Sequence, residues 1–188
     1  MKVGFCVVNY SEKPVEEVIK IAADNGYECV ELPSYVDNGQ VDAEELLKGG
    51  KAKELKKLVE SYGMTISSLS NHADSWPIMG PYGGTTDSIC NGTKEERIKF
   101  GQESMVRSAQ LAAELGATAV VAFSGMENYG HINDWPEPNG WKYEEERFAE
   151  KWVPVFDKYQ EYGVKVAFEP HPNNIVYDTQ STLRLLDV

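Results

Sequence analysis

Cysteine and histidine are scarce in this chain, and basic residues are outnumbered. The three cysteines are odd in number and show no metal-ligand spacing, which excludes a disulfide framework and a zinc ribbon. Cys6 and Cys29 fall in apolar runs, where a thiol behaves as a small hydrophobe. Lys and Arg number 18 against 30 Asp and Glu, a formal charge of −12. The densest basic stretch, 48–57, is diluted by Glu54. Proteins that neutralise phosphates need clustered cations, so no nucleic acid is expected as a partner, nor an acidic membrane surface. No apolar run approaches the ~18 residues of a membrane span. Met1-Lys2 leads straight into a strand-like segment rather than a signal peptide, so the expectation is a cytoplasmic protein with no membrane partner.

What is present is a regular alternation. Short apolar runs over 2–8, 28–32, 65–70, 118–123 and 164–168 read as strands, the fourth so uniformly apolar that it suits burial on both faces. Between them lie helical patterns: Val15, Val18, Ile19 and Ala22 after Pro14; Leu55, Leu58, Val59 and Tyr62; Ile98, Met105, Ala109 and Ala112; Phe148, Trp152, Val155, Phe156 and Tyr159; and a start at Thr179. Thr93 with Glu96 spells a capping box, a better use for Thr93 than the acceptor pattern Asn91-Gly92-Thr93. Pro154 interrupts the fourth helix, and an interior proline costs about 3 kcal/mol, so a kink or a fresh start is expected there. Gly26, Gly63, Gly116 and Gly163 close the helices just before the next strand.

Five strand-helix units imply a parallel sheet with right-handed crossovers. An open doubly wound sheet would carry a glycine-rich turn after its first strand, and 9–14 contains no glycine. The long connections, 71–92 and 124–141, both follow strands, whereas the turns after helices are short. Long loops on one rim and tight turns on the other are how closed α/β barrels build their sites. At about 38 residues per unit, eight units would need about 300 residues, so the chain reads as a single domain over 1–188 holding the first five units of an eight-fold barrel. With Phe5, Val30, Ile66, Val120 and Val166 taken as inward-facing, a sheet of five units exposes edges and an apolar face. That predicts either a further C-terminal barrel segment or a homo-oligomer.

The candidate chemistry sits at strand ends. Phe168-Glu169-Pro170-His171-Pro172 places a carboxylate and an imidazole at the end of the fifth strand. A metal or hydrogen bonds would compensate the charge of Glu169 there, and a solvated loop Glu with a stray His fits the spacing as well. His72 ends the third strand and could orient a hydroxyl or move a proton, or be structural. Glu31, ending the second, could bind a polyol or form a salt bridge. Trp76, Trp135 and Trp141 lie in the long connections, where indoles stack on sugars or pack the loop. Glu127 and His131 are weaker candidates, and Asp42, Glu44 and Glu45 read as the acidic start of a helix.

The ordered set Val30-Glu31-Leu32, Leu69-Ser70-Asn71-His72, Ala122-Phe123-Ser124-Gly125, Trp152-Val153-Pro154 and Phe168-Glu169-Pro170-His171-Pro172 resembles the sugar phosphate isomerase/epimerase superfamily, the xylose isomerase-like TIM barrels. The resemblance runs through the whole chain. It implies a (β/α)8 barrel and a divalent metal (manganese, magnesium, cobalt or zinc) in the barrel mouth. The implied substrate is a sugar, keto-sugar or polyol, isomerised or epimerised by proton abstraction next to a carbonyl. Lyase or dehydratase chemistry on the same barrel is the alternative, as is an inactive association module. In these terms Glu169 is metal ligand and catalytic carboxylate, His171 is catalytic, and Glu31, His72 and Trp135 bind substrate. The remaining metal ligands are expected beyond residue 188. A DNA-repair endonuclease shares the barrel, and the charge of −12 opposes it.

Overall fold

The computed structural model describes residues 1–127 and 140–188. Five parallel strands form one sheet in sequence order: β1 (Gly4–Cys6), β2 (Cys29–Pro33), β3 (Thr65–Asn71), β4 (Ala119–Ala122) and β5 (Lys165–Phe168). The order β1-β2-β3-β4-β5 is that of successive barrel staves. The first strand is shorter than its apolar run, because Val7–Tyr10 turns into a 3-10 helix at the rim. The crossovers contain α1 (Val15–Asp24), α2 (Ala43–Leu46), α3 (Lys51–Ser61), α4 (His72–Met79), α5 (Gly84–Asp87), α6 (Lys94–Leu115) and α7 (Gly140–Tyr162), and α8 (Thr179–Leu185) follows β5.

Local signals place most boundaries. Thr93 Oγ1 accepts from the Glu96 N–H at 3.2 Å while Glu96 Oε2 accepts from the Thr93 N–H at 2.8 Å, so the capping box starts α6 as read. Gly116 closes α6 at φ +81°, a left-handed conformation that costs glycine little. Among the described residues, no helix is long and apolar enough to cross a membrane.

Three expectations need correction. The connection 71–92 is not loop: α4 begins at the residue after β3, so His72 is a helix N-terminal residue, and α5 follows. The assumed inward set points the other way. Val30, Ile66 and Val120 are in the core beneath the helices, with Phe5 and Val166 packed against it. Register puts Cys6, Glu31 and Ser68 side by side on the opposite face. Period two reveals that a strand has two faces but not which one the helices cover. Finally, α7 does not restart at Pro154 but runs through it as one helix. A proline removes the hydrogen bond to the carbonyl four residues back, here that of Glu150, and beside it Gln102 of α6 donates its side-chain amide to the Lys151 carbonyl at 2.7 Å.

The helix-side core is anchored by Trp152, fully buried. Its ring lies against Phe148, Phe156 and Phe168, with centroids 5.9, 5.8 and 4.8 Å away. Its indole N–H donates to the Ser124 carbonyl at 3.2 Å, which satisfies the polar handle inside the apolar cluster. This packing holds β5, and hence the residue after it, in place.

Candidate active site

The carboxyl end of β3 is locked from behind. Asn71 is fully buried and donates its amide to Ser104 Oγ and Ser108 Oγ of α6 at 3.0 and 2.9 Å. Ser34 Oγ joins by donating to Ser108 Oγ at 2.9 Å, and Ser104 Oγ donates to Asp74 Oδ2 at 2.6 Å. With Asn71 aimed at the helices, strand alternation turns His72 toward the other face, where Ser68 and Glu31 already are.

β5 supplies the partner. The Glu169 N–H donates to the Ala122 carbonyl at 3.1 Å, extending the β4–β5 ladder by one rung. Its carboxylate reaches across β4: Glu169 Oε2 is 3.1 Å from His72 Nε2, with the side chains 47% and 27% exposed. The pair is therefore open to solvent on one side. An ionised carboxylate only accepts, so His72 donates from Nε2, and in a neutral ring Nδ1 then keeps its lone pair.

His171 takes the opposite tautomer. Its Nδ1 lies 2.8 Å from the Pro172 carbonyl oxygen, an acceptor only, so Nδ1 carries the hydrogen, and in a neutral ring Nε2 is then the acceptor. Phe123, immediately after β4, lies between the two imidazoles, with a ring centroid 4.6 Å from each. Trp76 meets the same phenyl ring edge-on at 5.6 Å.

Glu31 occupies a neighbouring polar patch. It accepts from Ser68 Oγ at 2.8 Å and from the Cys6 thiol at 3.5 Å. Burial pushes the Cys6 thiol up to about 11, and the charges of Glu31 and, further off, Glu169 act in the same direction. Both carboxylates thus act on one thiol on the face opposite the helices.

The structure brings Glu169, His72 and His171 together and places Glu31 on the same face. Trp135 and His131 lie outside the described residues. Glu127 forms ion pairs with Lys151, at 2.9 Å, and with Lys94. Burial alone would push its carboxyl up, but the two lysines hold it below the usual range. Trp141 packs near Tyr177, under the Arg184 guanidinium. Ser68 was not singled out from sequence, Phe123 entered only within the segment Ala122-Phe123-Ser124-Gly125, and Cys6 only as a thiol in an apolar run. For Ser68 a signal existed, since Ser68, Ser70 and His72 share one alternation.

A profile of the xylose isomerase-like TIM barrel family matches residues 19–188. No curated protein matches the chain. Among solved structures, it is similar to a probable 3-DHS dehydratase, AsbF, from Bacillus anthracis, with a TM-score of 0.68 and 18% identity over 100% of this chain and 58% of that one. It is also similar to the 3-keto-D-glucoside 4-epimerase YcjR from E. coli (TM-score 0.67, 16% identity, 100% and 64% covered). A third is the IolI protein with a bound zinc atom (TM-score 0.65, 16% identity, 100% and 58% covered). The chain therefore spans 58–64% of the length of these proteins.

Zinc takes about four protein or water ligands and magnesium about six. Among the described residues no three His, Cys, Asp or Glu side chains cluster as a metal site, and Glu169 and His72 are hydrogen-bonded to each other. These residues do not by themselves form the shell of a divalent ion.

Proposed function

We propose, from the premise that the chain belongs to the xylose isomerase-like TIM barrel family, that it carries the proton-transfer half of a sugar isomerase or epimerase site. The observation that carries this reading is the 3.1 Å contact between Glu169 and His72 at the ends of two strands. The substrate class is a keto-sugar, sugar or polyol. The divalent ion implied by the resemblance stays a proposal: Glu169 would be one ligand and other donors must complete the shell.

The chemistry follows from the side chains present. Glu169 accepts the proton from the carbon next to the substrate carbonyl; the C–H electron pair forms the new C–C double bond, and the carbonyl oxygen takes the charge as an enediolate. Protonation of that carbon on its opposite face by a second acid gives the epimer, and return of the proton from Glu169 to the neighbouring carbon gives the isomer. His72 holds the carboxylate through Nε2–H. His171 presents Nε2 as an acceptor for a substrate hydroxyl, and Glu31, oriented by Ser68, accepts from another. A hydroxyl on the next carbon would allow the same enediolate to expel water. That second reading is motivated by the chemistry and distinguished by its unsaturated product.

The test is incubation of the enzyme with keto-sugars in heavy water, read by proton NMR at the carbon beside the carbonyl. Wild type is expected to incorporate deuterium and Glu169→Gln to lose exchange at least a hundredfold, in line with the usual contribution of a positioned base. Undiminished exchange in the mutant would remove Glu169 from the reaction.

A further inference from the structure

Phe123 has no polar atom in its side chain, yet it occupies the centre of the site. β3 and β5 are not neighbours; β4 separates them, and two inter-strand steps amount to about 10 Å. The His72–Glu169 contact spans that gap directly above the end of β4, where Phe123 begins. Its backbone is held on both sides. The Phe123 N–H donates to Ser75 Oγ at 2.9 Å, and that hydroxyl donates to the His72 carbonyl at 3.1 Å. The carbonyl just before it, that of Ala122, accepts from Glu169 N–H at 3.1 Å. The peptide unit joining Ala122 to Phe123 is thus linked to Glu169 through its carbonyl and, by way of Ser75, to the His72 backbone through its N–H, while the Phe123 ring contacts two imidazoles whose planes are tilted by 46° and 37° to it.

We propose that Phe123 is a positioning residue that holds His72 and His171 in opposite tautomers, with Nε2–H of His72 directed at Glu169 and the Nε2 lone pair of His171 directed outward. An imidazole on a strand end can rotate about two side-chain bonds, and each rotation that breaks its hydrogen bond also releases its tautomer. A phenyl ring in contact with both rings removes those rotations through aromatic packing. Aliphatic side chains of similar volume lack the flat faces that do this. Trp76, edge-on to Phe123, supports the phenyl ring from the third side. The inference deepens the proposed reaction by naming what keeps its acid-base groups in register, and it rests on that reading for its catalytic meaning only.

The experiment is long-range proton–nitrogen NMR of the histidine side chains in the 188-residue chain, which reports directly which ring nitrogen carries hydrogen. Wild type is expected to show His72 as the Nε2–H form and His171 as the Nδ1–H form, with both sets of ring protons shifted by the phenyl ring current. Phe123→Leu should lose the single-tautomer pattern at both histidines, and Phe123→Tyr should restore it. Retention of both patterns in a folded Phe123→Leu would overturn the proposal. So would wild-type spectra without ring-current shifts or with mixed tautomers, a result that does not depend on any variant folding. None of these readouts requires turnover, so failure here is distinct from failure of the exchange assay on Glu169.

Discussion

Glu169 and His72 are 97 positions apart in the chain, and their side chains meet at 3.1 Å across β4. The contact links the ends of the third and fifth strands over the fourth, so it exists only while all three strands hold their register. Disruption of β4 packing should therefore be felt first at this pair rather than at Glu31, whose partners Cys6 and Ser68 lie on strands adjacent to its own.

Cys6 should be an unreactive thiol. Alkylation requires thiolate, and at pH 8 a group raised from 9.0 to about 11 supplies about a hundredfold less of it than the unshifted thiol. Glu31→Gln removes a charge and a partner that both raise that value, so alkylation of Cys6 should accelerate. Peptide mapping by mass spectrometry after timed iodoacetamide treatment measures it; an unchanged rate would show that burial alone protects the thiol.

Asp74 should make stability fall with rising pH in the range just above the ordinary aspartate titration. Burial raises its carboxyl, against hydrogen bonds from Ser104 and the Val36 N–H. With the folded-state value above the unfolded one, the native protein binds more protons between the two, and ionisation of Asp74 weakens the fold as pH rises through that window. Urea denaturation of wild type and Asp74→Asn across pH 4 to 7 should give a difference that changes with pH in this direction. A pH-independent difference would contradict it.

Gly101 should tolerate no side chain. A methyl group there would lie 2.7 Å from both the Asp74 carbonyl oxygen and Ile78 Cγ1, where α6 crosses α4. Alanine gains about 1 kcal/mol of helix propensity, and overpacking costs about 1–3 kcal/mol, so Gly101→Ala is expected to lower stability and to shift His72 at the start of α4. Thermal unfolding reads the first effect and the His72 NMR signals the second.

Pro154→Ala should stabilise the protein by up to the ~3 kcal/mol an interior proline costs, because it restores the helix hydrogen bond to the Glu150 carbonyl. Gln102 donates to a different carbonyl, that of Lys151, so the effect of Gln102→Ala should add to that of Pro154→Ala. Double-mutant analysis of denaturation midpoints decides this; a coupling well above about 0.5 kcal/mol would contradict it.

The amino-acid sequence alone determined the order of the five strands and of α1, α3, α6, α7 and α8, because each rests on local chemistry: strand-length apolar runs, helical spacing of Val15 to Ala22 and of Phe148 to Tyr159, the Thr93–Glu96 capping box, and glycine at the helix ends. It also determined that Glu169 and His72 stand at strand ends. Tertiary structure decided the rest. Alternation separates the two faces of a strand without telling which one the helices cover, which is why Val30, Ile66 and Val120 could not be assigned to the helix side beforehand. The helix α4 was hidden in a presumed loop because its side chains pack against α6, with Gly101 permitting the approach, rather than following an apolar stripe of their own. Phe123 read as one more apolar strand residue, and only the register of β3, β4 and β5 sets its ring between two histidines, because contacts across non-neighbouring strands depend on how the strands align and leave no local pattern in the chain.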